Sequence, residues 1–187
     1  MANKKTDDKR ETGASAPVFF LCLLLTSGVS SAQNLSKYYV SSTQPDGILY
    51  FIKPQTNFNN PEIKTDFTFD VTYLNTNDSA TVNFTYFDKK NIYPESITIA
   101  YGDWKYQTTL KRIYVDVDKD RWRYRYTLQI PFDQLVIFYR ANAPVITITT
   151  NTPRTITIKP VKQWEKNADI NHKIMQIIQI NKKSISS

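Results

Sequence analysis

Cysteine, glycine and histidine are all scarce in this chain of 187 residues, and each scarcity removes a class of chemistry. The one cysteine, Cys22, lies in an apolar run near the N-terminus, so the chain beyond it has no thiol. That part can form no disulfide, no cysteine-bound zinc site and no cysteine nucleophile. Of four glycines only Gly47 and Gly102 follow residue 33, which leaves no glycine-rich loop to cradle a phosphate. The single histidine, His172, argues against a histidine-based triad or a multi-histidine metal site. The expectation is a chain with no catalytic residue, no cofactor and no metal. Paired carboxylates could still serve a hydrolase, but carboxylate separation is a three-dimensional fact that composition does not carry.

What is present begins with an export pattern. Met1–Pro17 is polar and holds Lys4, Lys5, Lys9 and Arg10, although Asp7, Asp8 and Glu11 dilute the positive charge. Val18–Val29 is an apolar run, and Ser30-Ser31-Ala32 supplies small residues where a signal peptidase cuts. The run is shorter than the roughly 20 residues that a membrane-spanning helix needs. Residues 1–33 are therefore expected to be a signal peptide and leader, and 34–187 a single domain with no transmembrane span. The leader holds four basic and three acidic residues, so the other 154 keep 20 basic against 14 acidic, a balance of +6. Such a surface permits anionic partners without selecting among them, and export argues against nucleic acid. A thiol-free exported chain suits a bacterial envelope: periplasm, cell surface or medium.

From residue 47 onward the chain reads as strand after strand. Gly47–Lys53 is a short apolar run after the turn Pro45-Asp46, and Pro54–Pro61, with Asn57, Asn59 and Asn60, reads as loop. Lys64–Leu74 alternates, the turn Asn75–Ser79 follows, and Val82, Phe84 and Tyr86 resume the alternation. Ile97, Ile99 and Tyr101 lead into Gly102-Asp103, a two-residue hairpin turn with glycine first, and Trp104 and Tyr106 lead out. Gln134–Arg140 fits either a strand or a short helix, and Val145–Thr150 and Thr155–Lys159 fit strands. Gln163–Asn181 has a helical apolar stripe, but its end, Ile174–Ile180, is isoleucine-rich and also fits a strand. Eight to ten short strands at close spacing give the expectation of an antiparallel β-sandwich, immunoglobulin-like or similar, with one C-terminal helix and a barrel as alternative.

Lys111–Pro131 is the most informative stretch. A two-residue turn at Lys119-Asp120 sets Asp118 opposite Arg121, Asp116 opposite Arg123 and Tyr114 opposite Arg125. Val117, Val115 and Ile113 then face Trp122, Tyr124 and Tyr126, so one side is apolar and the other charged, as a half-buried pair requires. Apolar parity switches between Trp104 and Val117, which predicts a bulge or a crossing near Lys111-Arg112. Asp116, Asp118 and Asp120 have the spacing that begins a calcium loop. No glycine or closing glutamate follows, and Lys119, Arg121 and Arg123 crowd the site, so a salt-bridged hairpin tip is expected.

For function, the residues offered as ligand or partner contacts are Trp104, Tyr106, Tyr114 and Arg125. Trp104 and Tyr106 flank a turn and could stack on a sugar ring, although such rings more often fill a core. Arg125, opposite Tyr114, is the one arginine of the stripe expected to lack a carboxylate partner. Asn34-Leu35-Ser36, Asn77-Asp78-Ser79 and Asn83-Phe84-Thr85 match the glycosylation sequon, which an Asn- and Thr-rich chain produces by chance. The expected function is an exported, non-enzymatic binding module that contacts a protein or glycan. The alternative is a structural or assembly subunit, adhesin- or pilus-like, pairing through an edge strand such as Ile174–Ile180.

Overall fold

A two-residue rhythm of burial marks Ser79–Asp88, Arg121–Pro131, Val145–Thr150 and Thr155–Pro160, and strands are its consequence. The computed structural model describes residues 35–152 and 154–183; the expected leader lies outside them. In order come β1 (Tyr39–Gln44), β2 (Gly47–Asn60), β3 (Thr65–Leu74), β4 (Ser79–Asp88) and β5 (Pro94–Tyr101). They are followed by β6 (Trp104–Thr109), β7 (Lys111–Asp118), β8 (Arg121–Pro131), β9 (Val145–Thr150) and β10 (Thr155–Pro160). Helix α1 (Phe132–Arg140) interrupts the strands after β8, and α2 (Lys162–Lys166) and α3 (Ala168–Lys183) follow them.

The fold is all-β and antiparallel, as expected, in one ten-stranded sheet of order β6-β5-β9-β10-β2-β3-β4-β8-β7, with β1 on β2. Its end strands, β6 and β7, are consecutive in the chain and separated only by Leu110. The Leu110 amide donates to the Glu95 carbonyl at 2.9 Å, and the Tyr106 hydroxyl donates to the Gln129 carbonyl on β8 at 2.9 Å. The first bond extends the β5–β6 pairing, the second reaches from β6 across to β8, and the sheet is nearly closed and barrel-like. The parity switch has its physical basis here: the chain leaves one end of the sheet, joins the other, and slips register between Arg112 and Tyr114.

Several local expectations need correction. Pro54–Pro61 is not a loop, because β2 runs on to Asn60 with register shifts between Ile52 and Gln55 and between Thr56 and Phe58. Pro54 sits in the first irregularity, where its missing N–H breaks no regular ladder. Gln134–Arg140 is helical, not a strand, since Leu135, Val136, Phe138 and Tyr139 bury one face of α1. Ile174–Ile180 is part of α3, where Ile174, Met175 and Ile178 are buried at helical spacing. The edge strand proposed there does not exist. β1, unforeseen, pairs with β2 across the turn Pro45-Asp46.

Side chains from the sheet and helices fill the interior. Trp164, only 1 % exposed, packs its ring 4.9 Å from Phe58 and 5.2 Å from Phe138, and donates to the Ala141 carbonyl at 2.8 Å. Phe69 lies 5.8 Å from both Phe58 and Phe138, so strands β2 and β3 and helices α1 and α2 share one aromatic cluster. At another point the chain needs a glycine. A Cβ on Gly47, at φ 150°, would approach Asn75 Oδ1 to 2.6 Å. Asn75 accepts from the Ile48 amide at 2.8 Å and donates to the Asn181 carbonyl of α3 at 3.3 Å.

Trp164→Ala removes a large ring that no neighbour can replace and is expected to destabilise the fold by about 3–5 kcal/mol. Urea unfolding measures it, and an unchanged midpoint would deny the cluster its structural role. Burial also raises the phenol pKa of Tyr86 and Tyr139, whose hydroxyls have no hydrogen-bond partner among the described residues. A folded-state pKa above the unfolded value stabilises the fold fully below pH of about 10. That contribution declines as pH rises from there toward the folded-state pKa. Stability should accordingly fall in alkali, with phenolate absorbance from these two rings appearing only on unfolding.

Candidate functional site

Antiparallel order brings alternate connections to the same end of a sheet, and here four of them surround one cleft. Residues 61–64 join β2 to β3, 89–93 join β4 to β5, 119–120 join β7 to β8, and 151–154 join β9 to β10. The cleft has a volume of about 450 Å³, within the roughly 300–1,000 Å³ typical of small-molecule sites. Lys64, Lys89, Lys90, Arg121 and Arg154 line it, against Glu62, Asp88 and Asp120.

Asp88 organises the floor. It is 2 % exposed, and Oδ1 accepts from the Lys90 amide at 2.9 Å. Its Oδ2 lies 3.0 Å from Arg154 Nη1, an electrostatic contact whose angle falls outside hydrogen-bonding geometry. An unpaired carboxylate at this depth would be costly, so the arginine is held where it neutralises the charge. On the wall, the Arg121 guanidinium lies 4.7 Å above the Phe87 ring and Nη1 donates to the Lys64 carbonyl at 3.5 Å. Lys64 has φ 49° and Lys119 φ 60°, the two positive-φ non-glycine residues of the described chain, and both sit in these loops. Non-glycine residues in the left-handed region are uncommon and concentrate at functional sites.

The residues singled out from sequence lie elsewhere and do not form one site. Tyr114 and Arg125 are cross-strand partners on β7 and β8, as the hairpin register predicts. Arg125 does not lack a partner: Nη2 donates to Asp70 Oδ2 at 2.7 Å and Nη1 to Thr85 Oγ1 at 3.0 Å. The partners come from β4, the neighbour of β8, and from β3, the strand beyond it, an order that no local pattern carries. Tyr114 is 39 % exposed and lies under the Arg123 guanidinium at 5.6 Å. Trp104 and Tyr106 are half-buried against the core; the Trp104 indole donates to Gln134 Oε1 at 2.7 Å. Opposite Trp122, Val117 stays 59 % exposed, and Ile113, bulged out of register with Tyr126, stays 49 % exposed. Neither is core; of the three apolar residues of β7 only Val115 packs against it.

Arg123 grips Asp116 through two hydrogen bonds, at 2.9 and 2.5 Å, across the hairpin. Among the described residues no group of three or more metal-ligating side chains occurs, the aspartate run included. Also among them, no helix is long and apolar enough to cross a membrane. Sequence reasoning missed Lys64, Lys89, Lys90 and Arg154 as a group. Their only local signal is a basic residue in alternate connections, meaningful once the sheet order is known.

Comparison with family models, curated proteins and solved structures finds no match for this chain.

The hydrogen-bonded Arg123 guanidinium holds the Asp116 carboxyl below the usual aspartate range. A depressed folded-state pKa contributes stability above the unfolded value, of about 3.9, that is lost as pH falls through the folded one. Carboxyl NMR titration should give Asp116 a midpoint lower than an ordinary aspartate, and Arg123→Gln should raise it. An unmoved midpoint in the variant would separate the carboxyl from the guanidinium.

Proposed function

We propose that the chain is an exported, non-enzymatic binding module of a bacterial cell envelope or surface. It contacts a protein or glycan partner through the cationic cleft at the loop-bearing end of its sheet. The observation that carries this reading is convergence: loops distant in sequence bring five basic side chains to one opening. Loops held by a rigid scaffold are the usual place for recognition. Export, to periplasm, cell surface or medium, rests on the leader pattern of residues 1–33. Tyr114, exposed beside the hairpin, is the most accessible of the residues offered from sequence, and Trp104 and Tyr106 form a secondary candidate face. A finer description of the fold, a two-layer sandwich, is supported by the seam between β10 and β2, only two residue pairs wide.

A second reading, assembly through an edge strand, is favoured by one observation: β7 ends the sheet and exposes Ile113 and Val117. Unpaired edges with apolar side chains invite strand addition from another chain.

Glycan-array and pull-down binding by the full chain should disappear with Lys89→Glu/Lys90→Glu and persist with Trp104→Ala. Loss on Trp104→Ala alone, with the fold intact, would move the contact to β6 and sink the cleft reading. Light scattering addresses the second reading: Val117→Lys should dissociate an assembly, and a monomeric wild type would exclude one.

A further inference from the structure

We infer that the cleft receives a tetrahedral oxyanion, a phosphate or sulfate group borne by the ligand, in preference to a planar carboxylate; this rests on the binding reading above. Planar bidentate recognition of a carboxylate is the property of a free guanidinium fork. Both arginines here have one end of that fork occupied: Arg154 Nη1 lies against the buried Asp88, and Arg121, stacked on Phe87, turns Nη1 to the Lys64 carbonyl. What remains are the ammonium groups of Lys64, Lys89 and Lys90, all exposed and, among the described residues, in no ion pair. Ammonium groups are compact charges with three rotatable donors, suited to acceptor oxygens that point in several directions.

Charge agrees with geometry. With Asp88 and Arg154 cancelling each other, Lys64, Lys89, Lys90 and Arg121 face Glu62 and Asp120, an excess of two positive charges. A phosphate monoester carries about −1.5 to −2 at neutral pH. The lysines are also anchored: Asp88 fixes the backbone at Lys90, and Lys64 keeps its left-handed conformation with its carbonyl turned to Arg121. A cleft of about 450 Å³ exceeds the size of a bare oxyanion, so the group belongs to a larger ligand.

The test is an amide NMR titration of the labelled full chain at constant ionic strength, with inorganic phosphate, inorganic sulfate, glucuronate and glucose 6-phosphate. Phosphate and sulfate should shift amides of residues 62–64, 88–90 and 120–121, and glucuronate should bind more weakly. Glucose 6-phosphate should bind more tightly than inorganic phosphate; equal affinity would make the free ion the ligand and overturn the ligand-borne group. Lys89→Gln/Lys90→Gln should weaken phosphate about tenfold, whereas Lys105→Gln, exposed on β6, should leave it unchanged. Glucuronate binding as tightly as phosphate, absent shifts, or equal weakening by Lys105→Gln would each overturn the inference. If array binding depends on Lys89 and Lys90 but no tetrahedral anion shifts the loops, the oxyanion fails and the binding reading stands. If phosphate binds and array binding ignores both lysines, the oxyanion site stands and the partner reading falls.

Discussion

The contact of Trp164 with Phe58, Phe69 and Phe138 is the interaction on which the molecule's geometry depends. A sheet that curls needs something of the right volume inside it, and a chain beyond residue 33 with no thiol has only packing to supply that. Here the filling comes from two directions. Strands contribute inward rings at every second position, and helices α1 and α2 add Phe138, Tyr139 and Trp164. The curvature that this filling permits brings alternate connections of the sheet around a common opening. Packing in the interior thus fixes the position of charged groups at its mouth.

Closure itself is made by the shortest connection available. Leu110 carries the chain from one end of the sheet to the other, and the Tyr106 hydroxyl bonds to β8 where no ladder joins the ends. This arrangement leaves β7 with one covered side and one bare side. The charged pair Asp116–Arg123 and the bulge at Ile113 lie along that strand, and both features blunt an edge against casual pairing. Exposed Val117 and Ile113 work in the opposite direction. The edge is neither plainly sticky nor plainly protected, and that balance sets the second functional reading apart from the first.

Much of the architecture is legible from local pattern. The hairpin register from Asp118–Arg121 back to Tyr114–Arg125 follows from alternation and one turn, because a slip would invert every side chain. The expected Ile113–Tyr126 pair does not form, because the irregularity that the parity switch signals near Lys111-Arg112 falls at Ile113 itself. The long β2 is illegible for a related reason: Pro54 and the asparagines resemble loop, yet the strand continues by changing partner from β1 to β10. The partner of Arg125 and the cationic cleft were hidden for a different cause. Asp70 is 55 residues from Arg125, and Lys64 and Arg154 meet only after the strands are ordered. Sequence spacing carries registers of neighbours; it carries no information on which loops end up side by side.

The missing side chain at Gly47 has a reach beyond its own turn. The space it leaves is occupied by the Asn75 amide, which joins the start of β2 to the last turn of α3. Asn181, on the same turn, donates in addition to the Tyr50 hydroxyl at 2.6 Å. The tail of a C-terminal helix would ordinarily fray alone. Here loosening of that turn would take a partner from both Asn75 and Tyr50, so the end of the helix is coupled to the start of β2 through side chains alone.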